Sequence, residues 1–221
     1  MVNFMKNEEI LKVVDHTLLS PFADGNSIKN LCKEAVSAKV FSVCVPPSYV
    51  SLSKEILSGS SVKVCTVIGF PNGYSTFSTK LFETSDALKN GADEIDMVIN
   101  IGFIKNKDHE NALKEISLIK KICGEKMLKV IIETCYLTLE EKIIMCKIVT
   151  DSGADYIKTS TGFGTKGATF DDVKLIKKNI GENVKIKVAG GVSSFDEALK
   201  YINLGASRIG SSRLAKLALK S

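Results

Sequence analysis

Residues 153–164 read GADYIKTSTGFG. The Gly-Ala-Asp opening has the marks of a helix end running into a strand, because glycine readily takes the left-handed cap and alternating residues follow it. The junction recurs as Gly91-Ala92-Asp93 and as Gly205-Ala206-Ser207, so it belongs to a repeating unit. Working outward from it, strand-like runs fall at 13–18, 41–46, 62–69, 93–100, 128–134, 155–160, 184–191 and 207–212. Between them lie stretches such as STKLFETSDALKNG and HENALKEISLIKKICG, with apolar residues at helical spacing. Strands alternating with helices to this count predict an α/β fold, a single (β/α)8 TIM barrel with a short N-terminal helix. An open, doubly wound sheet is the alternative. No Pro/Gly/Ser-rich linker divides the chain, and residues 1–221 are expected to form one domain.

Composition narrows the possibilities. The hydrophobic fraction of 44% and charged fraction of 25% are ordinary for a globular chain. No apolar run approaches the ~20 residues of a membrane helix. The N-terminal stretch MVNFMKNEEILKVVDHTLL places acidic residues before its apolar patch and has no small-residue cleavage site, so it does not read as a secretory signal. Cysteines at 32, 44, 65, 123, 135 and 146 form no CxxC pair and read as buried, reduced thiols. A cytoplasmic location is the expectation. The net charge of +5 comes from scattered lysines with only two arginines, Arg208 and Arg213. Such scatter argues against a nucleic-acid face and is compatible with an anionic small-molecule substrate.

Alternate residues of a strand face opposite sides. In the seventh run Val184, Ile186 and Val188 share one face, while Lys185, Lys187 and Ala189 share the other. In the fourth, Ile95, Met97 and Ile99 oppose Glu94, Asp96, Val98 and Asn100. In the fifth, Leu128, Val130 and Ile132 oppose Lys129, Ile131 and Glu133. In the sixth, Ile157 and Thr159 oppose Tyr156 and Lys158, and in the first Asp15 lies beside Val13 and Thr17. The apolar face suits the helices, so charged residues are directed into the barrel.

Two readings of these charges stand side by side. Asp15, Asp96, Lys129, Glu133, Lys158 and Lys187 could pair with one another as a salt-bridged interior without chemistry. Alternatively Lys158, Lys187 and Asp96, late in their strands, surround an active site at the C-terminal mouth. A lysine held beside a second cation has a lowered pKa and presents a free amine. That amine adds to a carbonyl and loses water, and the resulting imine draws electrons from neighbouring carbon–carbon bonds. Asp96 would move protons directly or through water.

Glycines after the last strands, Gly190-Gly191 and Gly210-Ser211, together with Gly162 after the sixth, fit a phosphate cradle of backbone N–H groups. Only two histidines are present. His109 begins a charged helix, and His16 alternates with Asp15 and is expected to pack outward. No His/Cys/Asp cluster has metal-ligand spacing, and no nucleophile elbow, P-loop or strand-linked GxGxxG occurs. Cys44 has inward parity and reads as a small pocket-lining residue.

The motifs EIDMVIN, DYIKTSTGF, KVAGGV and SRIGSS, with VDHTLL near the start, closely resemble the deoxyribose-phosphate aldolase family, in order from about residue 10 to 215. The resemblance implies a metal-free class I aldolase without a cofactor, often dimeric. Its reaction interconverts 2-deoxy-D-ribose 5-phosphate with acetaldehyde and glyceraldehyde 3-phosphate, so a phosphosugar and aldehydes are the expected partners. By motif it implies Lys158 as the imine-forming lysine, Lys187 as its pKa-lowering neighbour and Asp96 as the proton-transfer carboxylate. Asp15 and Thr17 match the family's pocket residues, where Cys44 is expected by its parity, and Gly162, Gly190, Gly191, Gly210 and Ser211 fall where the family holds phosphate. Phe163 stands where some relatives carry lysine, which shifts phosphate binding toward backbone groups. The chain ends LAKLALKS without the aromatic tail of some relatives, so Asp96 and water are expected to manage proton transfer alone. Another imine-forming barrel or a catalytically silent phosphosugar-binding barrel is the alternative.

Overall fold

The computed structural model describes residues 6–220. Its strands are β1 (Val14–Thr17), β2 (Ser42–Val45), β3 (Lys63–Ile68), β4 (Glu94–Val98), β5 (Met127–Ile131), β6 (Tyr156–Lys158), β7 (Lys185–Val188) and β8 (Arg208–Ser211). They pair in chain order, all parallel, and β8 closes onto β1. After α1 (Asn7–Leu11), the crossovers are α2 (Gly25–Ser37), α3 (Val50–Ile56), α4 (Phe77–Lys89), α5 (Ile101–Lys105) with α6 (His109–Cys123), α7 (Leu139–Asp151), α8 (Phe170–Asn179) and α9 (Phe195–Asn203). The last element, α10 (Leu214–Ala218), follows β8. The chain therefore folds as the (β/α)8 barrel that its strand–helix alternation predicts.

Two layers hold the barrel. The outward strand residues, among them Ile95, Met97, Val130, Ile157 and Ile209, merge with helix residues such as Ile116, Ile119 and Ile176 into one apolar cluster. Full burial of each such side chain is worth about 1.5–3 kcal/mol. Side-chain caps start the helices: Asp24 accepts from Ser27 N at 2.8 Å, and Thr138 forms a reciprocal capping box with Glu141. Such caps contribute ~1 kcal/mol each.

The recurrent Gly-Ala-Asp junction has a physical basis. Gly91, Gly153 and Gly205 sit at φ +103°, +77° and +108°, a region costly for residues with a Cβ. The following aspartate then ties the incoming strand to its predecessor. Asp93 accepts from the Val64 N–H of β3 at 3.0 Å, and Asp155 accepts from the Leu128 N–H of β5 at 2.8 Å. Lys54 and Lys120 neutralise the two carboxylates, each at 2.7 Å.

The strands are shorter than the alternation suggests, because alternation does not reveal where the hydrogen-bond ladder ends. Asn100 leaves β4 and caps α5, accepting from Gly102 N at 3.0 Å. Glu133 lies beyond β5 at φ +50°, so it is a loop residue and not an inward strand residue. Lys185 has inward parity but opens β7 at the N-terminal end, exposed, 5.9 Å from the Tyr156 ring centroid. His16 does face outward, fully buried, with Nε2 2.8 Å from Glu34 Oε2 of α2.

Candidate active site

Parallel register carries inward residues from strand to strand around the barrel. Asp96 lies beside Lys129, Lys158 beside Lys187, Lys187 beside Arg208, and Asp15 beside Gly210. Asp96 is the hub. Its Oδ2 accepts from Lys158 Nζ and from Lys187 Nζ, each at 2.7 Å, and its Oδ1 accepts from Lys129 Nζ at 2.8 Å. Lys187 also contacts the Asp15 carboxylate. Arg208 reaches Asp15 at 2.8 Å and Glu94 at 3.0 Å, and Glu94 meets Lys129 at 2.6 Å.

This network sets protonation. Burial alone would push Asp96 upward, but Lys129, Lys158 and Lys187 outweigh it and hold its carboxyl well below the usual range. Burial opposes a charge on Lys187, yet Asp15 and Asp96 overcome it and raise its pKa, so Lys187 is a firm cation. The three acids Asp15, Glu94 and Asp96 face four cations, Lys129, Lys158, Lys187 and Arg208. The interior is thus one negative charge short of balance.

Lys158 differs from the other three cations. It forms part of the floor of a cavity of about 390 Å³ at the C-terminal mouth, whereas Lys129, Lys187 and Arg208 do not line it. Thr17 and Leu19 line one side, and the loops after β6, β7 and β8 line the other. Gly162, Gly190 and Gly191 have φ of +87°, +86° and +98°. Gly190 also packs so tightly on Gly167 that a Cβ there would come within 3.0 Å of the Gly167 Cα. At Gly210 a Cβ would meet Ala189 Cβ at 3.0 Å and approach Lys187 Cε at 3.5 Å, so this glycine leaves space for the lysine. The Ser211 hydroxyl donates to Val192 O at 2.8 Å and links the last two loops.

The structure brings Lys158, Lys187 and Asp96 together as one hydrogen-bonded group. Thr17, Gly162, Gly190, Gly191, Gly210 and Ser211 all line the cavity. Asp15 and Cys44 do not; both are wholly buried, Asp15 inside the ion network and Cys44 beside Cys65 on β3. Inward parity alone could not distinguish a pocket wall from the layer below.

Three arrangements escaped the sequence reading. Arg208 shares parity with Gly210 in the short β8, which is the signal that could have revealed it. Glu133, from its loop, accepts from the backbone N and the hydroxyl of Thr161 and so braces the loop after β6. Cys44, Cys65 and Asp96 converge within 4.8 Å, a grouping no linear spacing shows. Its donors do not suit a cation, because Lys129 Nζ lies 2.8 Å from Asp96 Oδ1 and 3.3 Å from Cys65 Sγ.

Comparison with known proteins is consistent across sequence and structure. A family model described as DeoC/LacD family aldolase matches residues 10–212. A protein of Clostridioides difficile (strain 630) named deoxyribose-phosphate aldolase is 59% identical over 210 residues, 95% of each chain. The solved structure of deoxyribose phosphate aldolase from Aeropyrum pernix, described as a unique tetramer, superposes with a TM-score of 0.88 at 30% identity, over 98% of this chain and 93% of that one. A solved aldolase designated QR15 superposes with a TM-score of 0.91 at 35% identity, over 96% of both chains.

Proposed function

The chain belongs to the DeoC/LacD family of aldolases, and from that premise we propose that it cleaves 2-deoxy-D-ribose 5-phosphate, reversibly, through an imine on Lys158. The products are acetaldehyde and D-glyceraldehyde 3-phosphate. One observation carries the assignment of roles: Lys158 alone among the four interior cations lines the cavity, while sharing Asp96 Oδ2 with the firm cation Lys187.

The chemistry follows from that geometry. Lys158 is the interior amine that opens onto the cavity, where a carbonyl carbon can reach it. The amine attacks C1 of the open-chain sugar, and loss of water gives a protonated imine. Removal of the C3 hydroxyl proton breaks the C2–C3 bond, with the electron pair passing into the imine. Glyceraldehyde 3-phosphate departs, the remaining enamine takes a proton at C2, and water releases acetaldehyde and restores Lys158. Asp96 is sealed beneath the cavity, so it exchanges protons through the two amines it holds and through water entering above them. Thr17 presents its side chain to the sugar, and the backbone of Gly162, Gly190, Gly191 and Gly210 with Ser211 receives the phosphate.

A cytoplasmic homo-oligomer, expected as a dimer, accords with this reading. No helix among the described residues is long and apolar enough to cross a membrane. The test is an assay that follows both products from 2-deoxyribose 5-phosphate. Wild-type protein is expected to release them in equal amounts and Lys158→Ala to release neither. A wild-type protein that binds the sugar phosphate without turnover would instead be a binding barrel.

A further inference from the structure

The cavity's lining mixes polar and apolar groups, and its charge is one-sided. No acidic residue lines it, and its lining cations are Lys158, already bonded to Asp96, and Arg213. Arg213 follows the loop after β8, where its backbone N–H donates to Ser211 Oγ at 3.1 Å. The same hydroxyl is anchored on Val192 O, so the segment carrying Arg213 is fixed against the loop after β7. Arg213 is exposed, and its side chain makes no hydrogen bond or ion pair with any described residue. The chain's other arginine, Arg208, is committed to the interior through Asp15 and Glu94.

The loop after β6 offers the cavity no cation. After β6 the exposed Phe163 stacks edge-on against Phe70, with ring centroids 5.3 Å apart. Lys166, further along that loop, is exposed and does not line the cavity.

We infer that Arg213 is the side chain that recognises the phosphate dianion of the substrate, so that the enzyme's preference for a phosphorylated sugar rests on this residue. The inference depends on the phosphosugar reading above and assigns its charge recognition. Glycine N–H groups and serine hydroxyls shape a cradle but carry no formal charge. A planar guanidinium supplies two parallel donors to phosphate oxygens, which a lysine cannot reproduce. Its lack of an internal partner means no ion pair must break when phosphate arrives.

The experiment compares 2-deoxyribose 5-phosphate with unphosphorylated 2-deoxyribose for wild type, Arg213→Ala, Arg213→Lys and the control Lys216→Ala. Inorganic phosphate binding is measured by calorimetry on the same proteins. In Arg213→Ala the ratio of kcat/KM for the phosphorylated over the unphosphorylated sugar is expected to fall about tenfold or more, as for loss of a charge-assisted hydrogen bond. Phosphate affinity should fall in parallel. Arg213→Lys should lie between the two, and Lys216→Ala should leave the ratio within about twofold, as for a screened surface charge. An unmoved ratio, an equal loss on both sugars, or an equal effect of Lys216→Ala would overturn the inference. If wild type cleaves neither sugar, the aldolase reading fails, and the calorimetry alone then decides the role of Arg213.

Discussion

At the residue scale, the proposed chemistry depends on which amine meets the cavity. Lys158→Ala is expected to abolish turnover while the barrel persists. Lys187→Leu should retain only a small fraction of activity, because it removes the amine that shares Asp96 Oδ2 with Lys158 and pairs with Asp15. Asp96→Asn should slow proton transfer at C2 more than imine formation, read as slower deuterium exchange of acetaldehyde relative to trapped imine. Equal losses of both would make Asp96 a purely structural anchor. The buried acids also predict a pH signature. Asp15 and Asp96 both have lowered folded-state values, so their stabilisation is fully present above the usual carboxylate value of 3.8 and is lost as pH falls through the folded values. Asp15→Asn should therefore destabilise by about 3–5 kcal/mol at pH 7, as for breaking a buried pair. The difference from wild type in urea denaturation should shrink as pH drops below about 4. A constant difference from pH 7 to 3 would mean that Asp15 does not act through its charge.

At the element scale, the β-strand ends and the turns between elements determine what reaches the cavity. Gly167 is the critical glycine of the loop after β6, since a Cβ there would meet Gly190 O at 1.9 Å. Gly167→Ala is expected to displace the loop after β7 and raise KM for the phosphorylated sugar, and to lower the melting temperature, as is Asp155→Ala. The latter removes the tie between β5 and β6 and should cost about 1–2 kcal/mol. A melting temperature unaltered in Asp155→Ala would show that the junction aspartate is not a latch. The elements themselves were legible because strand alternation and helical spacing differ in period, and the Gly-Ala-Asp junctions punctuate both. Inward parity likewise found Lys158, Lys187 and Asp96, since it needs only the order of residues. It failed for Glu133, which lies past the end of the ladder, and it could not tell that Asp15 and Cys44 are wholly buried and do not line the cavity. Depth along a barrel depends on how neighbouring strands are staggered, and that information is not local. Arg213 sits in a loop without periodicity, where no pattern marks the direction of a side chain.

At the scale of the whole molecule, an apolar outer layer surrounds an ion-paired interior that opens, through Lys158, onto the cavity. The salt-bridged core and the proposed catalytic site, alternatives in the sequence, share residues: one carboxylate, Asp96, pairs both with Lys129 of the network and with Lys158, the proposed imine-forming lysine. Closure of the barrel by β8 on β1 brings Arg208 and Asp15 together and completes that network. The central claim is that a single amine, Lys158, forms the covalent intermediate. Its most direct test is incubation with acetaldehyde and borohydride, followed by peptide mapping by mass. The account predicts a reduced ethyl adduct on Lys158 alone, absent when Lys158 is replaced. Adducts scattered over surface lysines, or none in active protein, would contradict it.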